Sequence, residues 1–396
     1  MLRIRDTLAG DTIRFYYCQN RQDLEEARDF ILRHRWLAID TESTGLNPYR
    51  PGWELRSVQI GNATRCYVIP ARYRRFIASV MACEIHWIAH NGPHDIRSID
   101  AHLGYETGVI CDGETYIPSH HLDSRNQQEG GTGHSLKDLA IAMVDRSAGK
   151  WEISLKAEFK KLRVELPGEV YKSGPRKGTQ KTRAAHLDEG WALIDPTNPV
   201  YIAYSAADPI LTYRVWQRLQ PVVREFNELY RFDHAVQMAC DRLQRRAIRL
   251  DRVYTERLSH AYFRRATKAM DIAADFGCAN INATAQLAVT ILKLGGKLTS
   301  KTPTGKWKVD ASTMRALRKS GGESDLAEFL RNVLLAKQIL KRRESYTEQM
   351  LNEMDSAGRI HPSINSLGAR TARMSVSRPP LQQLPTKDRA EDEQRT

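Results

Sequence analysis

WLAIDTESTG (36–45) is the stretch on which the fold and chemistry of this chain turn. Four apolar residues close on Asp40, Glu42 follows two places on, and the turn signal TGLNP comes directly after. In a strand, residues i and i+2 face the same side of the sheet. A short buried strand ending here therefore sets two carboxylates on one face. A lone pair of this kind is usually surface acid; the apolar run before it and the turn behind it give it weight. Hard oxygen donors with no Cys or His beside them suit Mg²⁺ or Mn²⁺ better than zinc.

Two further acidic motifs follow in order. In IAHNGPHDIRSI (88–99) a strand, EIHWIAH (84–90), leads through the turn NGP to Asp95. That places Asp95 near a helix N-terminus at a sheet edge, where α/β sites gather, although helix capping is the ordinary role of an Asp there. Asn91 is placed to hydrogen-bond across the turn and position backbone or substrate. In IAYSAADPILTY (202–213) Tyr204 and Asp208 are four residues apart and share a helical face. A tyrosine hydroxyl beside a metal-binding carboxylate can orient an attacking water and help take its proton.

The surrounding pattern is mixed α/β up to about residue 220. TIRFYYC (12–18), LRSVQIGN (55–62) and CYVIP (66–70) have strand composition, and RQDLEEARDFILRH (21–34) carries apolar residues at 24, 27, 30 and 31 of an amphipathic helix. Helical patterns then dominate at 221–246, 251–275, 282–294 and 325–354, with a basic loop or short hairpin at 297–310. The composition sets a boundary near 220–235. The last residues are charged and almost without apolar side chains, as in a disordered tail at 386–396.

A net charge of +13 and a pI near 9.5 favour a polyanionic partner. Residues 146–183 hold eleven Lys or Arg against four Glu. Their YKSGPRKGTQKTR stretch has loop composition; it reads equally as a solvated insertion and as a strap along a nucleic-acid backbone. No apolar run reaches the ~18 residues that span a bilayer, and the N-terminus lacks a signal-like segment. The six cysteines show no CxxC spacing and read as reduced thiols of a cytoplasmic protein.

Each motif is ordinary by itself. Together and in this order they resemble the DEDD superfamily of 3′–5′ exonucleases, in the subclass with tyrosine in the third motif. The resemblance implies an RNase H-like mixed sheet flanked by helices. It implies two divalent metal ions, Mg²⁺ or Mn²⁺, held by Asp40, Glu42, Asp95 and Asp208, with Tyr204 completing the catalytic set. Asn91 and Leu46 would meet the substrate strand, although Leu46 is equally a core leucine. GTGHSLKDLA (131–140) resembles the family segment between the second and third motifs and is expected to shape the domain. Asp112 is a candidate extra acid, more simply a capping or surface residue.

The second half resembles family A DNA polymerases of phage or actinobacterial type. CDRLQRRAIRLDRVY (240–254) and residues 281–317 resemble the approach to the thumb and the thumb itself. GRIHPSINSLGARTARMSVSRPPLQQLP (358–385) follows the pattern TxTGRLSSxxPNLQNIP of the thumb–palm junction, with Ala372 in place of Gly and Pro380 in place of Asn. Thr371, Arg373, Ser375 and Gln382 fall on family positions, and with Lys337, Lys341, Arg342 and Arg343 they are the expected DNA contacts. The implied organisation is an exonuclease domain at 1–220, a helical thumb-like region at 221–357, the junction at 358–385 and the tail. The implied function is proofreading removal of nucleotides from DNA 3′ ends in replication or repair. The partners would be a single-stranded 3′ end and a primer–template duplex, with no membrane. The family's later palm and fingers motifs are not found before Thr396. Nucleotide addition is therefore not expected of this chain alone, and a second chain completing the palm remains open. The alternatives are a polymerase fragment that only binds DNA, and an RNase D-like exoribonuclease, which uses the same acids but another helical module.

Overall fold

In the computed structural model residues 1–171 and 173–384 are described. Lys172 of the basic stretch and the tail at 386–396 lie outside the described residues. The described residues form two compact units, Met1–Arg246 with Ile364–Ser375, and Ala247–Ser363 with residues 376–384.

The first unit is built on a seven-stranded mixed sheet. Its strands are β1 (Leu2–Leu8), β2 (Asp11–Tyr17), β3 (Trp36–Ser43), β4 (Leu55–Gly61), β5 (Arg65–Pro70), β6 (His86–Ala89) and β7 (Gly113–Glu114), in the order β1-β2-β5-β4-β3-β6-β7. β3, β4 and β5 are an antiparallel meander; β6 pairs parallel with β3, and β7 parallel with β6. β1, which the sequence reading passed over, pairs antiparallel with β2 at the sheet edge. Its alternating LRIRDTL exposes every second side chain, as an edge strand with one wet face does.

Strand alternation sorts the side chains between two cores. One face carries Leu37, Ile39, Val58, Ile60, Tyr67 and Ile69 under helices α1 (Arg21–Leu32), α2 (Arg74–Met81) and α3 (Gly92–Leu103). α3 begins three residues ahead of Asp95 because Gly92 and Pro93 already take helical geometry in its first turn. Next in the chain come α4 (Tyr116–Leu122), α5 (Leu136–Met143), α6 (Lys150–Phe159), α7 (Leu187–Leu193), α8 (Pro199–Glu225) and α9 (Asn227–Arg246). The opposite face of the sheet, with Phe15, Tyr17, Cys66 and Val68, is covered by α8 through Ile202, Ala206, Ile210, Leu211 and Val215, and by Leu136 and Leu139 of α5. Asp40 and Glu42, two and four places after Ala38, share this α8-facing side.

The basic stretch differs from the loop reading. It forms α6 and then an antiparallel ribbon of β8 (Arg163–Val170) and β9 (Gln180–Ala184), so the Gly- and Pro-rich residues are a hairpin tip. The first unit runs on through α9, whose Tyr230 packs with Ile88, Ile117, Trp216 and Leu367. Leu367 comes from the returning segment 364–375, fixed where Tyr116 Oη donates to the Leu367 carbonyl at 2.9 Å.

The second unit begins with β10 (Ile248–Arg249), which pairs with β11 (Arg359–Ile360). Between them lie α10 (Arg252–Asp275), α11 (Thr284–Lys293), α12 (Ala311–Ser320) and α13 (Asp325–Arg343), and α12 had no counterpart in the sequence reading. Ala269, Ile291, Met314, Phe329, Leu330 and Val333 form the core. α13 is its largest contributor, through Leu326, Phe329, Leu330, Val333 and Ala336. Residues 297–310 close as a small turn in which the Thr302 amide donates to the Lys306 carbonyl at 2.7 Å. All six cysteines are free. Among the described residues no helix is long and apolar enough to cross a membrane.

Ile39 is fully buried one place before Asp40. Ile39→Ala should cost the first unit about 2–5 kcal/mol, seen as a lower denaturant midpoint of its tryptophan-fluorescence transition.

Candidate active site

β3 supplies the base of the site. Asp40 pairs in register with Gln59 and Glu42 with Ser57 of β4, so both acids lie where α8 crosses the meander. Gln59 and Ser57 are buried, and Gln59 Nε2 donates to Ser57 Oγ at 2.6 Å, giving the acids a polar floor. Thr41, between them, donates through Oγ1 to Asp95 Oδ1 at 2.7 Å and so ties the second motif to the first. α8 brings Tyr204 and Asp208 to the same place on successive turns. All four acids and the tyrosine are therefore gathered in the first unit. Glu42, Asp95 and Asp208 are buried and Asp40 is half-buried.

These acids strain against one another electrostatically. Burial pushes Asp40 well above the ordinary carboxylate range, and the charges of Asp95, Asp208 and Glu42 push it further. Glu42 is raised by burial and by Asp208. Asp95 is raised by burial to about 7, against the opposing hydrogen bond from Thr41. Asp208 is raised by burial, opposed first by Lys137. Like charges in a poorly solvated place disfavour joint ionisation unless a cation is near.

Burial, then Asp208 and Glu42, also hold the Tyr204 hydroxyl well above its usual range. This narrows the expected role. Tyr204 is thus held as a neutral hydroxyl, a hydrogen-bond donor rather than a phenolate.

Three residues emerge only from the folded chain. Lys137, in the segment expected merely to shape the domain, forms an ion pair with Asp208, both side chains being about nine-tenths buried. Its Nζ also lies 4.6 Å from the centroid of the Tyr204 ring. Glu114 is fully buried; its carboxylate accepts from the Asn91 amide at 2.7 Å and the Gly92 amide at 2.8 Å. It fixes the turn that launches Asp95. Asp112, the extra acid considered from sequence, is instead exposed and pairs with His86 at 3.2 Å. Arg56 donates to the carbonyls of Trp191 and Ile194, fastening the approach to α8.

Asn91 adopts a left-handed conformation, φ 65°, which Asn tolerates better than most residues. Its backbone, rather than its side chain, makes the bond across the turn. Gly92 is needed beside it, because a Cβ there would meet Cys111 Sγ at 2.7 Å. Leu46 is 59% exposed in the loop after β3, which rules out the core role weighed for it.

The expected DNA contacts lie elsewhere. Thr371 and Arg373 are exposed and Ser375 half-buried on the returning segment of the first unit. Ala372 holds φ 55° there, a conformation that favours glycine. Gln382, in the second unit, accepts from the Val376 amide at 3.1 Å. On α13, Lys341 is exposed and Lys337 Nζ meets Asn282 Oδ1 at 3.2 Å. Arg343 is committed inside its unit, to Glu348 at 2.7 Å and Ser259 at 3.2 Å.

Residues 16–224 match the family model described as 3′–5′ exonuclease. The chain belongs to this family. Residues 252–396 match the model of DNA polymerase family A, which favours a polymerase-type exonuclease over the RNase D-like reading. The chain is 30% identical to a DNA polymerase of Mycobacterium phage L5 and 29% to that of phage D29, in each case over 98% of this chain and 62% of the relative. It thus spans 62% of the length of these polymerases. DNA polymerase I of Chloroflexus aurantiacus is 27% identical over 88% of this chain and 35% of its own. Among solved structures, the polymerase domain of Pol1 from M. smegmatis, in complex with DNA primer-template and dNTP, shares the fold at a TM-score of 0.56. The identity is 15%, over 94% of this chain and 56% of that one.

The exonuclease and polymerase families generally depend on divalent metal. The donor chemistry here fits a hard cation, being four carboxylates whose mutual repulsion a cation would relieve. Among the described residues, however, no three Asp, Glu, His or Cys side chains converge closely enough to share an ion as they stand.

His90, at the end of β6, lies 2.8 Å from Thr115 Oγ1. Burial, then the charge of Lys137, lowers it to about 4 from an ordinary 6.5. Its contribution to stability is complete above pH 6.5 and is lost as the pH falls towards about 4, up to about 3 kcal/mol. His90→Gln should shallow the acid limb of a stability–pH curve over that window.

Proposed function

We propose that the first unit removes nucleotides from DNA 3′ ends by metal-assisted hydrolysis, as the proofreading module of a family A polymerase. The observation that carries this reading is the assembly of four acids from three separated motifs in the first unit: Asp40 and Glu42 on the α8-facing side of β3, Asp208 on α8, and Asp95 tied to the same strand through Thr41. In it, the four acids hold two divalent cations, Mg²⁺ or Mn²⁺. Bound there, the cations supply Lewis-acid polarisation of the phosphate and a lowered pKa for the attacking water.

The protein's own groups do the rest. Tyr204, kept neutral, donates a hydrogen bond that orients the attacking water, and the proton leaves to the carboxylates around it. Thr41 holds Asp95 in line and Glu114 fixes the turn before it. Leu46, exposed beyond β3, would wedge against a terminal base. An unpaired 3′ end enters at less cost than a paired one, which would make a mismatched terminus the preferred substrate. Lys341 and Arg373, with Lys337, Thr371, Ser375 and Gln382, are the proposed duplex contacts, and phosphate contacts of this kind add affinity without sequence preference. Arg343 is better read as an internal brace.

The test is digestion of a 5′-labelled single-stranded DNA with Mg²⁺, beside Asp40→Ala and Asp208→Ala. The expected result is a ladder shortening from the 3′ end, reduced in each variant by at least about 100-fold, since loss of one preorganised charge-stabilising group commonly costs that much. An intact ladder in both variants would remove these acids from the reaction.

A further inference from the structure

Lys137 has no part in the reaction as read so far, yet its charge bears on Asp40, Glu42 and Asp208 alike. Its backbone is fixed. Ser135 caps α5 by accepting from the Asp138 amide, and Leu136 and Leu139 lock the helix into the core beneath α8. From this anchored stem a flexible four-carbon side chain reaches the cluster. Its ammonium meets the Asp208 carboxylate and at the same time lies over the Tyr204 ring. The ring face is a second favourable place for a cation, worth more when poorly solvated. Lysine is a mobile point charge rather than a rigid fork, so it can leave one partner for the other with little backbone change.

We propose that Lys137 is the resident counter-ion of the carboxylate cluster: it holds Asp208 until a divalent cation arrives, then yields Asp208 to the cation and withdraws onto Tyr204. Lysine and cation thus compete for one carboxylate. The proposal rests on reading the four acids as the metal site. It makes Lys137 a positioning residue, one that keeps a strained cluster folded and sets the cation affinity.

The experiment uses the full chain without substrate. Thermal melting is followed in EDTA and in saturating Mn²⁺, and Mn²⁺ affinity is measured by electron paramagnetic resonance. Lys137→Met should melt lower in EDTA by about 10 °C, the size expected when one partner of a buried ion pair is removed from a unit of this length. In Mn²⁺ the gap should close, and Mn²⁺ should bind about tenfold tighter than to wild type. Asp208→Asn added to Lys137→Met should recover the loss in EDTA. Should Lys137→Met not fold, Lys137→Arg keeps the charge and should melt near wild type in EDTA. A gap that persists in Mn²⁺, an unchanged or weaker Mn²⁺ affinity, or an Arg variant as unstable as Met would overturn the counter-ion role. Wild-type protein that takes up no Mn²⁺ at all would overturn the metal-site reading beneath it.

Discussion

Buried carboxylates repel one another, and the first unit is organised around that repulsion. Asp40, Glu42, Asp95 and Asp208 stand together where water screens poorly, each pushed towards its neutral form. A fold tolerates such a group only if its surroundings over-determine it. Here they do. Thr41 ties Asp95 to β3, Glu114 fixes the turn behind Asp95, Arg56 fastens the approach to α8, and Lys137 offsets part of the charge. An apolar shell surrounds these ties, with Ile39 and Leu37 below the sheet and Ile210 and Leu211 above it.

The same repulsion links stability to chemistry. On the proposed reading, a cation arriving among the acids would relieve strain that the metal-free protein must otherwise bear, and its binding would stabilise the fold. The neutral state of Tyr204 belongs to the same balance. The negative field that draws in a cation also keeps the hydroxyl protonated. Tyr204 sits on α8 one helical turn from Asp208.

Residues 364–375, from the stretch resembling a thumb–palm junction, belong to the first unit, with Leu367 inserted between α4, α8 and α9. Arg373 and Thr371 are left exposed by this packing. Ala372 occupies a backbone conformation that explains why related sequences use glycine there.

By itself the sequence determined the α/β character of the first half, the strands at 12–18, 36–40, 55–62 and 66–70, the identity of the gathered acids and the helical second half. Periodicity and the local order of motifs carry that information, because each depends on neighbours within a few residues. Only the tertiary structure decided the rest. Glu114 and Lys137 carry no local mark: one is an acid two places after a more conspicuous one, the other an ordinary lysine on an amphipathic helix. Their roles arise from partners far along the chain, at Asn91 and Asp208, and a long-range pairing leaves no periodic trace. The ribbon at 163–184 was hidden by its tip, whose Gly and Pro speak louder in sequence than the flanking pairs do. The commitment of Arg343 to Glu348 and Ser259 was likewise settled by packing, since a basic residue on a helix reads the same whether it faces a phosphate or its own fold.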